Sequence, residues 1–196
     1  MRITPIDHGL KDLIGKSSGV RGEGLHISQI YGDLFSDLEP TRFVRGSTPD
    51  PLRLGLGLAW ETHLEKTLLL QDNGERAERP GEMVSEEGIL YNPDLIIFNG
   101  SMRLGEIKLT WASSREFPNE PSNDLPPKAQ RYLVQMMAYA HCLETPYARL
   151  IAYFVNGDYS RTSGPQLKMW DLSFTARELR ENWQMLLNHA RSKKML

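Results

Sequence analysis

The sequence predicts an α/β (α+β) fold, a central mixed β-sheet flanked by helices. Three observations predict it. An apolar repeat with helical spacing follows Asp50-Pro51. Several strand-like segments then crowd into the stretch from Glu82 to Leu109. After them come a helix, a strand pair and a last helix, the order expected when helices cover a sheet built from distant strands.

With 196 residues, 40% hydrophobic and 24% charged, the chain has the balance of an ordinary globular domain. We read residues 1–196 as one domain without internal repeats. No apolar run approaches the roughly 20 residues of a membrane span. The opening MRITPIDHGLKDLIGKSSG lacks the continuous apolar stretch of a secretory signal. The expectation is a cytoplasmic protein with no membrane partner. Cys142 is the one cysteine, which excludes an internal disulfide framework, a multi-cysteine zinc site and an iron–sulfur cluster. At a net charge of −2, any nucleic-acid contact must come from local positive charge. Arg42, Arg45 and Arg53 fall close together, and Arg191, Lys193 and Lys194 form a basic tail.

Residues 1–25 are Gly-rich and weakly patterned, so an irregular N-terminal arm is expected. A short helix is expected from Ser28, an N-capping residue, with Ile30, Leu34, Phe35 and Leu38 on one face and Pro40 ending it. The helix after Asp50-Pro51 carries Leu52, Leu56, Trp60, Leu64 and Leu68 and runs to about Leu70. QDNGERAERPG reads as a turn-rich exit. Strands are expected around 82–85, 88–91, 94–98 and 102–109. Residues 112–126 are polar and Pro-rich, and are expected to form a mobile loop near the functional site. A helix from Pro127 to Leu143 follows, then a strand at 148–155. Asn156-Gly157 is a hairpin signal, with a return strand at 166–174. Thr175 and Glu178 form a capping box for the last helix.

Gly88–Trp111, GILYNPDLIIFNGSMRLGEIKLTW, places Asp94, Glu106 and Lys108 in segments that otherwise look like core. Residues two apart on a strand share a face, so Glu106 and Lys108 point one way and Ile107 the other. The turn decides where Asp94 lies. A two-residue Asn99-Gly100 turn would put Asp94 across from Gly105. A three-residue turn, Asn99-Gly100-Ser101, pairs Asp94 with Glu106, with Cβ atoms about 5 Å apart. Two facing, half-buried carboxylates repel and pay for desolvation, and a divalent cation removes both costs. Oxygen ligands suit Mg²⁺ or Mn²⁺. Lys108 would hold the attacking water or a phosphate, since the carboxylates favour its charged form. The plainer reading is a surface hairpin with a Glu–Lys pair.

Here the chain resembles the PD-(D/E)xK nuclease superfamily. Pro93-Asp94 matches its PD and Glu106-Ile107-Lys108 its ExK. The RecB-like and phage exonuclease branch is the most similar. Gly57-Leu-Ala-Trp-Glu61 resembles that branch's earlier helical motif, with Glu61 where many members have histidine. Gln135-Met-Met-Ala-Tyr139 matches its Q-x-x-x-Y helix. The resemblance covers about Gly55–Tyr159. It implies a restriction-endonuclease-like core and a metal-dependent deoxyribonuclease, an exonuclease of replication, recombination or repair in preference to a restriction enzyme. Compact size resembles phage or mobile-element enzymes, which act in the host cytoplasm. The implied ligands of Mg²⁺ or Mn²⁺ are Glu61, Asp94, Glu106 and the Ile107 carbonyl, with Lys108 catalytic beside Asp94 and Glu106. DNA is the implied partner, single- or double-stranded, and ring-forming relatives make a homo-oligomer or partner proteins of recombination and replication natural expectations.

Gln135 and Tyr139 are i,i+4 on one helix face, where an amide can reach a phosphate and a phenol can stack on a base. Arg42, Arg45, Arg115, Lys128 and Arg131 are candidate phosphate contacts, and Trp111 a candidate base platform. Each has a plain alternative as a solvated charge or core aromatic. Glu65 is a weaker second candidate ligand, His63 reads as a surface histidine, and His26, Ser28 and Gln29 as capping residues. A noncatalytic nucleic-acid-binding module of the same fold, a structure-specific endonuclease and an RNA substrate are the alternative readings.

Overall fold

A five-stranded mixed sheet organises the computed structural model, which describes residues 23–45, 50–69, 75–117, 125–162 and 164–196, with residues 65, 68 and 69 by backbone alone. Most of the expected N-terminal arm, the centre of the expected 112–126 loop and the side chains of Glu65 and Leu68 lie outside the described residues. Four helices are described: α1 (Ile27–Leu38), α2 (Pro51–Leu69), α3 (Pro127–Cys142) and α4 (Ala176–Ser192). The strands are β1 (Arg76–Glu78), β2 (Met83–Val84), β3 (Leu90–Tyr91), β4 (Leu95–Phe98), β5 (Met102–Thr110), β6 (Tyr147–Phe154) and β7 (Gln166–Ser173).

The main sheet has the order β1-β4-β5-β6-β7. Only β5 and β6 are parallel, and α3 is the crossover between them. Alternation along β5 sorts its side chains to two layers. Ile107 joins Leu95, Ile97 and Ile151 beneath Leu64 of α2. Leu104 joins Ile96, Leu150 and the apolar faces of α1, α3 and α4 on the other side. Gly105 is required where β4 and β5 meet: a Cβ there would stand 2.9 Å from the Leu95 Cβ.

Several boundaries differ from the sequence expectation, each for a physical reason. Helix α1 begins at Ile27, ahead of Ser28, because Gln29 Oε1 accepts the His26 N–H at 2.8 Å and supplies the cap. The expected turn-rich exit contains β1, whose Arg76, Ala77 and Glu78 pair with Phe98, Ile97 and Ile96. Three residues with no alternation carry no strand signal, so the partner strand imposes the conformation. Strands β2 and β3 form a separate ribbon and do not extend the main sheet. The β6–β7 connection is longer than a two-residue hairpin, although Gly157 does adopt a left-handed φ of 53°. Leu52 and Leu56 of α2 are 43% and 57% exposed, so the buried face of that helix is shorter than its apolar repeat. The ends of α2 and α4 follow the expectation. Asp50 Oδ1 accepts the Leu52 N–H at 2.9 Å. Thr175 and Glu178 cap each other at 2.7 and 3.2 Å.

Candidate active site

The β4–β5 turn is the three-residue one. Phe98 pairs with Met102 and Leu95 with Gly105, leaving Asn99, Gly100 and Ser101 in the loop. Gly100 takes a φ of 69°, and the Asn99 N–H reaches the Ser101 carbonyl at 3.1 Å. Continuing this register one step sets Asp94 across from Glu106, on the sheet face that carries Ile96 and Leu104. Asp94 Oδ2 accepts the Ile107 N–H at 2.7 Å. That bond ties the entry of β4 to the middle of β5.

Glu106 is 1% exposed. Its Oε1 accepts from Gln135 Nε2 at 2.5 Å and from Lys108 Nζ. Its Oε2 is buried and has no hydrogen-bond partner among the described residues. Burial, then the negative charge of Asp94, push the Glu106 carboxyl up to about 8, against the pull of Lys108. Burial likewise raises Asp94, opposed by Lys108 and the Ile107 N–H. Burial works against the charge on Lys108, but Glu106 and Asp94 outweigh it and hold the ammonium well above its ordinary pKa. Lys108 is therefore a fixed cation, its Nζ 5.6 Å from the Tyr132 ring centroid.

Helix α2 brings Glu61 from the opposite layer. A cleft of about 300 Å³ is lined by Arg53, Gly57, Leu58 and Glu61 of α2 and by Ile107 and Lys108 of β5. Glu61 Oε1 lies 3.7 Å from an Arg79 guanidinium nitrogen. Its charge also reaches Glu106, where it adds to the upward push on that carboxyl. Asp94 and Glu106 face each other here and Glu61 lines the adjoining cleft, so the side-chain donors at the site are carboxylate oxygens, one of them buried without a hydrogen-bond partner among the described residues. That set fits a hard divalent cation such as Mg²⁺ or Mn²⁺ and does not fit zinc.

The candidate DNA contacts are placed less uniformly. Gln135 and Tyr139 are 6% and 5% exposed, so neither offers a surface to a base or phosphate. Gln135 instead holds Glu106, and Tyr139 packs in the core 5.8 Å from the Tyr91 ring. The reason is that their shared helix face is the one α3 turns to the sheet. Arg42, Arg45 and Arg131 line a second cavity of about 470 Å³. Arg45 is already paired with Asp33 and Asp37 at 2.9 and 2.6 Å. Arg131 lies between the Tyr31 and Phe43 rings, 5.3 and 5.1 Å from their centroids. Arg115 is exposed and pairs with Asp158 at 2.7 Å. Lys128 is half-buried, and burial lowers its pKa. Trp111 is half-buried, with the Arg53 guanidinium 5.3 Å above its ring. His63 is exposed, as expected, against Trp60.

Two contributors carried no usable sequence signal: Tyr31, which donates to Gln135, and Arg79, which faces Glu61. Arg53 was visible as part of a basic cluster, but nothing in spacing joined it to Trp111. A carboxylate–histidine group, Asp33, Asp37 and His189, lies where α1 meets the end of α4 and is the one group of three such ligand atoms within 4.8 Å of one another among the described residues. Arg45 and Lys193 already neutralise it.

No family model matches the sequence, and no curated protein matches it. Among solved structures the chain is similar to SSO0001, with a TM-score of 0.56 and 13% identity over 93% of this chain and 86% of that one. The likeness is one of fold. The alkaline exonuclease LHK-Exo from Laribacter hongkongensis matches with a TM-score of 0.49 at 14% identity, over 87% of this chain and 89% of that one. Its complex with dAMP gives the same TM-score at 15% identity. No described helix is long and apolar enough to cross a membrane.

Proposed function

We propose that the chain is a Mg²⁺- or Mn²⁺-dependent deoxyribonuclease that hydrolyses phosphodiester bonds. The observation that carries this reading is Glu106 Oε2, a buried carboxylate oxygen without a hydrogen-bond partner among the described residues, beside Asp94 and a Lys108 whose charged form the two acids favour. A structural ion pair would satisfy both oxygens. This one leaves an acceptor open among other acidic groups, which suits a cation.

Asp94, Glu106, Glu61 and the Ile107 carbonyl would hold the ion. When bound, a divalent cation supplies Lewis acidity that activates water and neutralises charge on a phosphoryl oxygen. Lys108 Nζ, held charged, donates to the attacking water or a non-bridging phosphate oxygen. Gln135 acts through Glu106 by fixing its carboxylate plane. Arg53, stacked on Trp111 in the same cleft, is placed to meet a phosphate of the strand.

The motif order favours an exonuclease of replication, recombination or repair over an endonuclease. It also carries the expectations of a cytoplasmic, phage-type enzyme that works as a homo-oligomer or with recombination proteins. The test is digestion of linear, circular and single-stranded DNA with Mg²⁺ or Mn²⁺, and with chelator. An exonuclease degrades the linear form and spares the circle. Digestion that persists in both Asp94→Ala and Lys108→Ala would remove the catalytic assignment.

A further inference from the structure

The buried carboxylate at the centre of the site is held by an amide, and that amide is itself held from one end. Tyr31 OH donates to Gln135 Oε1 at 3.2 Å, and Gln135 Nε2 donates to Glu106 Oε1 at 2.5 Å. We infer that Tyr31 is a positioning residue for the proposed metal site: its hydroxyl anchors the Gln135 amide, which holds Nε2 on Glu106 Oε1 and leaves Oε2 to a cation. The inference rests on the nuclease reading above.

The two ends of a side-chain amide have nearly the same shape and opposite hydrogen-bonding character. Reversed, Gln135 would aim its carbonyl oxygen at a carboxylate. The ionised Glu106 carboxylate, which only accepts, disfavours that state, and the Tyr31 hydroxyl, which can donate, then holds the Gln135 carbonyl end in place. With Gln135 and Lys108 both donating to Oε1, Oε2 keeps its lone pairs. Tyr31 is well placed to act this way. Its ring is buried on α1, and the Arg131 guanidinium stacks on it while also facing Phe43. The hydroxyl is thereby aimed by packing that Tyr31→Phe leaves intact. Tyr31 bonds to Gln135 and acts on Glu106 through it.

The test uses the full chain as Tyr31→Phe, Gln135→Met and the double variant. Mn²⁺ binding is read by calorimetry well below the unfolding temperature, and the Gln135 side-chain amide by NMR in metal-free protein. Tyr31→Phe is expected to weaken Mn²⁺ binding about 2- to 10-fold, the range of one neutral hydrogen bond. It should lower kcat, leave KM for DNA unchanged and shift the Gln135 amide resonances. The double variant should bind Mn²⁺ no more weakly than Gln135→Met alone. Wild-type affinity in Tyr31→Phe, or a Tyr31→Phe effect undiminished in the Gln135→Met background, overturns the inference while the nuclease reading stands. A wild-type chain that binds no Mn²⁺ overturns both.

Discussion

Asp94 Oδ2 accepts the Ile107 N–H at 2.7 Å, so a side chain at the entry of one strand is bonded to the backbone of the next. The bond lies one residue past Glu106, and it holds the Asp94 carboxylate near enough for its charge to act on Glu106. A cation placed between the two would meet one charge from each strand. Replacing either acid with its amide removes a charge and keeps the shape. Asp94→Asn and Glu106→Gln are each expected to lower nuclease turnover by more than about 100-fold, since outer groups around metal sites alone cost that much. Metal-free Tm should hold or rise, because the repulsion between the acids is relieved. Turnover and thermal melts on the same preparations check this.

The protonation of Glu106 sets a pH dependence. Its carboxyl sits at about 8 in the folded chain against an ordinary 4.5, so the folded state binds that proton more tightly than the unfolded state. Its stabilising contribution is present in full below about 4.5 and is lost as pH rises through about 8. A cation competes with the proton for the same group. Metal-free Tm should therefore fall from about pH 4.5 to about pH 8, while the Tm increase from added Mn²⁺ grows over that interval. Glu106→Gln should flatten both trends. Melts across the range, with and without Mn²⁺, read the result.

Gly105 holds β4 and β5 at their close approach. An added Cβ would meet the Leu95 Cβ at 2.9 Å, an atom fixed to the backbone that cannot swing away. Gly105→Ala is expected to cost about 1–3 kcal/mol by overpacking. The shift falls at the pairing that sets Asp94 across from Glu106, so Mn²⁺ affinity should drop as well. Urea unfolding and calorimetry measure the two effects.

Arg53 faces the cleft from α2, with its guanidinium over Trp111. Arg53→Ala is expected to raise KM for DNA while kcat changes little. It should also reduce the salt slope of DNA binding by about one, the signature of one lost phosphate contact. Fluorescence anisotropy over a salt series, with Ca²⁺ in place of Mg²⁺, gives the slope.

Thr175 caps α4 at its N-terminus. Its hydroxyl accepts the Glu178 N–H at 3.2 Å. Thr175→Ala should cost about 1 kcal/mol of stability. DNA digestion at temperatures well below Tm should be unaffected, which makes it a control for variants that only loosen the fold.

What the sequence by itself determined was local. Alternation put Glu106 and Lys108 on one face of β5 and Ile107 on the other, because strand side chains repeat every two residues. Counting turn residues narrowed Asp94 to two places, across from Gly105 or from Glu106, and the three-residue loop of the structure decided for Glu106. The caps of α2 and α4 were equally legible, each depending on residues within a turn of the helix start.

Only the tertiary structure decided the rest. Strand β1 exists because β4 offers it a ladder, and no pattern in Arg76–Glu78 announces that. Gln135 and Tyr139 shared a helix face in the sequence, but which way the face turns depended on how α3 packs on the sheet, and it turns inward. Arg45 and Arg115 read as free positive charge until Asp33, Asp37 and Asp158 met them in space. Tyr31 lies 104 residues from the amide it bonds. Periodicity and turn length act over a few residues, whereas side-chain partners and burial are set when distant faces close on one another. The face that Glu106 and Lys108 share was therefore written locally, and the register that brings Asp94 to it and the groups that orient the acids were decided by the folded structure.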